Sequence, residues 1–130
     1  MTPRLVPVLL MSLILPLMLC DRSWAADATA GQMLFEANCA ACHGIGGQGD
    51  GPVGAALNPA PRDLTTGEFK FDANGTGTPG EDEDITLVIQ NGAMEYGGSA
   101  LMAPWPTLSD DQVVDIVAYI RSLEVESAEP

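Results

Sequence analysis

Cys39-Ala40-Ala41-Cys42-His43 is the stretch on which the reading of this chain turns. Two cysteines three residues apart, followed at once by a histidine, read as a covalent attachment site for c-type haem. Residues at i and i+3 of a helical turn share a face, so both thiols reach the two vinyl groups of one porphyrin. The adjacent imidazole then meets the iron as proximal ligand. A thioredoxin-like pair would instead open a helix directly after a strand, where the helix N-terminus lowers the thiol pKa. Here the pair closes the apolar-periodic stretch Met33 to Asn38. A structural zinc site takes about four Cys or His ligands, and beyond this pair the chain offers only Cys20 and one histidine.

Upstream of that stretch the chain begins like an export signal. Arg4 gives a positive start, Leu5 to Leu19 an apolar run, and Ser23-Trp24-Ala25 the small residues of a cleavage site after Ala25. Residues 1–25 are therefore expected to be a secretory leader and residues 26–130 one domain. The apolar run is shorter than the ~18 to 20 residues of a spanning helix, although an uncleaved anchor is the competing reading. A lipidated Cys20 would need a small residue where Leu19 stands. Export to an oxidising compartment, the periplasm, with only two cysteines left, suits haem attachment better than a disulfide framework.

The remaining segment of about 105 residues holds six Phe, Tyr and Trp residues, so its own core is marginal at that size. A haem would supply much of the missing apolar centre. Beyond the leader, three fixed positive charges (Arg62, Lys70, Arg121) stand against seventeen Asp and Glu, a balance of −14. Such a surface repels nucleic acid and anionic lipid and steers toward a basic patch on a protein partner. Solubility is the plainer explanation of the same charge.

Downstream, the pattern predicts an all-α domain of three principal helices with loops around one haem. The first helix is expected over 29–41, with Gly31 at a close helix crossing. A Gly-rich turn covers Gly44 to Pro52, a short helical turn Val53 to Leu57, and a proline-rich loop runs from Asn58 to Leu64. Asp72, Asn74 and the run Glu81 to Asp84 faintly suggest calcium, but a solvated acidic helix start suits the spacing better. Ile85, Val88 and Ile89 form one stripe, stopped by Asn91-Gly92. Ala93 to Thr107 reads as a long loop. Ser109 to Gln112 is a capping box opening a last helix through Val113, Ile116, Val117, Ile120 and Leu123. From Glu124 onward an acidic tail is expected to fray.

These features together resemble the class I cytochromes c, the exported, single-haem bacterial kind, over Gly31 to Leu123. Cys39, Cys42 and His43 match that family's haem motif, and Met102 its distal methionine loop, although Ala103 stands where the family more often has proline. Gly31 and Phe35 fall at its first-helix crossing, Ile116 and Tyr119 at their partners. The resemblance implies that the carbonyl of Pro52 orients the proximal imidazole, a contact that raises its basicity. It also implies that Arg62 sits near a haem propionate.

The residues alone narrow the sixth ligand independently. With one histidine a bis-histidine haem is excluded within the chain, and Lys70 ligates only when deprotonated. Met33 lies on the helix leading into the motif; Met94 and Met102 share the long loop. Met102 is the nearer to mid-loop, with Pro104 stiffening the chain after it and Trp105 offering an apolar body to close the site. The expected function is one-electron transfer between redox partner proteins, with no acid–base pair for substrate turnover and no stable membrane insertion after processing. A haem c subunit of an exported dehydrogenase or oxidase, and an open-site gas sensor or haem enzyme, are the alternatives.

Overall fold

The computed structural model describes residues 25–125, so the expected leader (all but Ala25), Cys20 and the tail beyond Val125 lie outside the described residues. Four α-helices run in the order α1 (Ala28–Asn38), α2 (Ala40–His43), α3 (Asp82–Asn91) and α4 (Asp110–Leu123), with 3-10 turns at Gly54–Ala56 and Ala93–Tyr96. There is no strand among the described residues. Helix α1 starts because the Asp27 side chain accepts the N–H groups of Thr29 and Ala30, two donors that the first turn leaves without intrahelical partners. It stops three residues earlier than the expected 29–41. At Cys39 φ widens to −117° while the backbone stays in the right-handed helical region, and α2 restarts after it.

Helices α1 and α4 cross where Gly31 meets the backbone of Asp115. A Cβ on Gly31 would collide with the Asp115 carbonyl oxygen, so only glycine lets the helices approach this closely. The Asp27 N–H donates to Asp115 Oδ1 at 2.8 Å beside the crossing. Phe35, 1% exposed, packs edge-on to Tyr119 with ring centroids 5.3 Å apart. Burying one such ring stabilises the fold by about 1.5–3 kcal/mol. Val113, Ile116, Val117 and Ile120 on α4 share the core with Ile85 and Ile89 of α3. Both the helix-crossing pairs and the capping box at Ser109, which exchanges hydrogen bonds with Gln112, stand as the sequence anticipates.

Two acidic stretches behave differently from expectation. Asp84 is buried rather than solvated, as the inner partner of a capping box with Glu81. Asp72, Asn74 and Glu81 direct their oxygens to N–H and hydroxyl donors of their own loop, and no group of three or more metal-binding side chains forms among the described residues. Glu124 does not fray: its Oε1 lies 2.7 Å from Arg121 Nη1, and the Val125 N–H donates to the Thr65 carbonyl. Arg121 also reaches Asp82 at 2.7 Å and the Gly80 carbonyl at 2.5 Å, and its guanidinium lies 5.1 Å from the Phe69 ring centroid. One cation thereby ties the end of α4 to the start of α3 and to the loop that leads into α3. No described helix is long and apolar enough to cross a membrane.

Candidate cofactor site

The helices and the loop from Leu57 to Phe71 enclose a cavity of about 380 Å³. Its wall brings together Cys39, Cys42, His43, Met102, Arg62 and Trp105. Phe35, Leu57, Leu64, Ile85, Ile89 and Ile116 make most of the remainder apolar. Pro52 is exposed and does not line it.

The α2 turn sets the chemistry at one side. Cys39 caps it and Cys42 lies within it, both half-buried as free thiols. Burial, with repulsion from Cys42 added, pushes the Cys39 thiol up to about 11. A redox nucleophile needs the opposite shift, toward the thiolate, so Cys39 is not poised to attack a disulfide. His43 follows with its ring 6.4 Å from that of Phe35. Its Nδ1 lies 3.0 Å from the Arg62 carbonyl. A carbonyl only accepts, so Nδ1 carries the proton and Nε2 keeps its lone pair. Burial lowers the imidazole pKa, with the Arg62 bond acting the other way. The ring is therefore held in the neutral form that a metal requires.

That hydrogen bond corrects the expectation for Pro52. The carbonyl that orients His43 belongs to Arg62, because the loop carrying it folds back under the α2 turn. The Leu64 N–H donates to the Gly47 carbonyl at 2.7 Å and the Gly49 N–H to the His43 carbonyl at 2.7 Å. The Gly-rich segment thus holds the two stretches together and leaves Pro52 on the outside. Arg62 itself is fastened by Nη1 to the Glu68 carbonyl at 3.0 Å.

The methionines separate clearly. Met102 lines the cavity and packs on the core. Met94 is 69% exposed and Met33 66% exposed, and neither lines it. Gly92 allows the approach of the 102–104 segment: the Ala93 N–H donates to the Met102 carbonyl, and the Trp105 N–H to the Ile89 carbonyl. Both ion pairs among the described residues are made by Arg121. The other two cations, Arg62 and Lys70, line the cavity. Phe69, Phe71 and Asp84 also line it and were not anticipated; the alternation in Phe69-Lys70-Phe71 was the available signal for the rings.

A flat apolar group with two vinyl arms, two acidic arms and a metal fits this donor set. Two thiols, a neutral imidazole with a free Nε2, a thioether and two cations all face one apolar space. The family described as Cytochrome c matches residues 28–124. Cytochrome c6 of Leptolyngbya boryana is 37% identical over 73% of this chain and 91% of that protein. The cbb3-type cytochrome c oxidase subunit CcoP of Rhodobacter capsulatus is 32% identical over 74% of this chain, which spans 29% of that subunit. Among solved structures, a chain of the Kuenenia stuttgartiensis reducing HAO-like protein complex superposes with a TM-score of 0.63 at 33% identity, covering 78% of this chain and 45% of that one.

Proposed function

The chain belongs to the class I cytochromes c and carries one covalent haem c for electron transfer; we propose on that premise that it is an exported, periplasmic carrier whose iron is held between His43 and Met102. When bound, haem supplies a one-electron Fe(III)/Fe(II) couple. The observation that carries the reading is that His43 and Met102 line one apolar cavity with the two thiols, while Met94 and Met33 do not.

In this reading the Cys39 and Cys42 thiols would hold the haem through thioether bonds to its two vinyl groups. His43 presents Nε2, kept neutral by burial and aimed by the Arg62 carbonyl. Met102 presents a soft thioether, a ligand that favours the reduced iron and raises the potential. Arg62 and Lys70 receive the propionates, and Trp105 with the apolar wall excludes water. The leader-like N-terminus supports export. An anaerobic redox titration followed by visible spectra tests this. A single reversible one-electron transition is expected, with a ferrous spectrum unchanged by carbon monoxide; carbon monoxide binding to the native protein would overturn the closed His/Met site.

The acidic surface supports a partner with a basic docking patch. With Arg121 paired and Arg62 half-buried, Lys70 is the one exposed cation among the described residues, against many exposed carboxylates. The bimolecular rate with such a partner should fall as salt rises, and a rate flat with ionic strength would assign the acidity to solubility. A second reading, that the protein works as a subunit of a redox complex, is favoured by its likeness to the oxidase subunit and to the Kuenenia complex chain. Co-purification with a larger assembly separates the two.

A further inference from the structure

Asp84 is the one charged side chain fully buried among the described residues, and the electron-transfer reading gives it no role. It is 1% exposed and lines the same cavity as His43 and Met102. Oδ1 accepts the Asn74 N–H at 3.0 Å and Oδ2 the Glu81 N–H at 2.9 Å. Burial pushes its pKa up, but these two bonds, with others from the Ala73 and Gly80 N–H groups, outweigh it and hold the carboxyl below its ordinary range. It is therefore an anion at neutral pH, in a cavity wall to which Phe69, Phe71, Ile85 and Val88 also contribute. Capping a helix does not demand this position. At α4, Gln112 performs the same task, accepting the Ser109 N–H, from a half-buried position and without a charge.

We propose that Asp84 sets the reduction potential, as a fixed negative charge in the cavity wall that favours the oxidised state of the haem held there. The inference rests on the electron-transfer reading above. Oxidation adds one positive charge to the site, and a nearby anion in a medium of low dielectric stabilises the more positive state. Burial and charge around a haem are recognised levers on its potential. Glu83, one residue earlier but exposed, is screened by water and should have little such effect. Neutralising Asp84 also leaves the converging N–H dipoles uncompensated, which acts in the same direction.

The test compares midpoint potentials of the haem-loaded wild type, Asp84→Asn, Asp84→Glu and Glu83→Gln by spectroelectrochemistry. In Asp84→Asn the oxidised-to-reduced ratio at a fixed poise should fall several-fold, a rise in midpoint for which tenfold corresponds to about 59 mV. Asp84→Glu, which keeps the charge, and Glu83→Gln should stay near the wild type. If Asp84→Asn loses the native spectrum, Asp84→Ser takes its place, being smaller and still able to accept an N–H. An unshifted neutral variant, or an Asp84→Glu shift as large as that of the neutral variant, overturns the proposal and leaves Asp84 as a loop clamp. A wild type without a reversible one-electron couple defeats the carrier reading instead.

Discussion

Met102→Ala should abolish the weak sulfur-to-iron band at the red end of the oxidised spectrum and lower the reduction potential, whereas Met94→Ala should change neither. The expected drop is on the order of 0.1–0.3 V, within the ~0.8 V over which axial ligands set haem potentials. Position is the reason for the asymmetry. Met102 packs on the core at the cavity wall, and its backbone is held against the end of α3 by the Ala93 N–H. Met94 sits in the 3-10 turn with its side chain in water. Loss of the band in Met94→Ala, with Met102→Ala intact, would reverse the proposed ligand.

Removing both thiols should have the other large effect. In Cys39→Ala/Cys42→Ala, pigment retained through acid–acetone extraction and denaturing electrophoresis should drop from complete to none. The fold should weaken with it. At roughly 24 cal/mol per Å³ of unfilled cavity, the 380 Å³ at this site corresponds to about 9 kcal/mol. That is an upper bound because the cavity opens to water, yet it matches the ~5–15 kcal/mol total stability of a small domain. Far-UV circular dichroism of the double variant should therefore show substantial loss of helix at room temperature. Pigment still covalently bound in that variant would refute attachment through these sulfurs.

The last helix was legible in the amino acids because every local signal in it agrees. Ser109 and Gln112 cap it, Val113 to Leu123 repeat at helical period, and the structure buries that face. The crossing of Gly31 and Phe35 with Ile116 and Tyr119 was legible through a family resemblance. Its physical sign was a glycine in a helix, where glycine costs ~1 kcal/mol relative to alanine unless something requires it. The break at Cys39 was not legible. One residue widens its φ within the helical region while its N–H still bonds to the Phe35 carbonyl, and no propensity records so small a change. The carbonyl that meets His43 depends on how the 44–51 and 57–64 segments lie against each other, which is decided by contacts nineteen positions apart. Asp84 was hidden for another reason. In a run of four acids, only the start of the helix tells which carboxylate turns inward.

The pairing of α1 with α4 also fixes an order of assembly. Asp27 and Asp115 meet across 88 positions, so nearly the whole chain must be present before the first helix has anything to pack on. Closing so long a loop is entropically slow compared with forming a local turn. Synthesis delivers α4 last, and Phe35, four residues before the first thiol, finds its wall only when Tyr119 arrives. Until then α1 lacks the helix it packs on, and the apolar wall beside the two thiols is incomplete. The last fourteen-residue helix is in this sense the latch of the fold, the element that completes the cavity wall with Ile116 and Ile120.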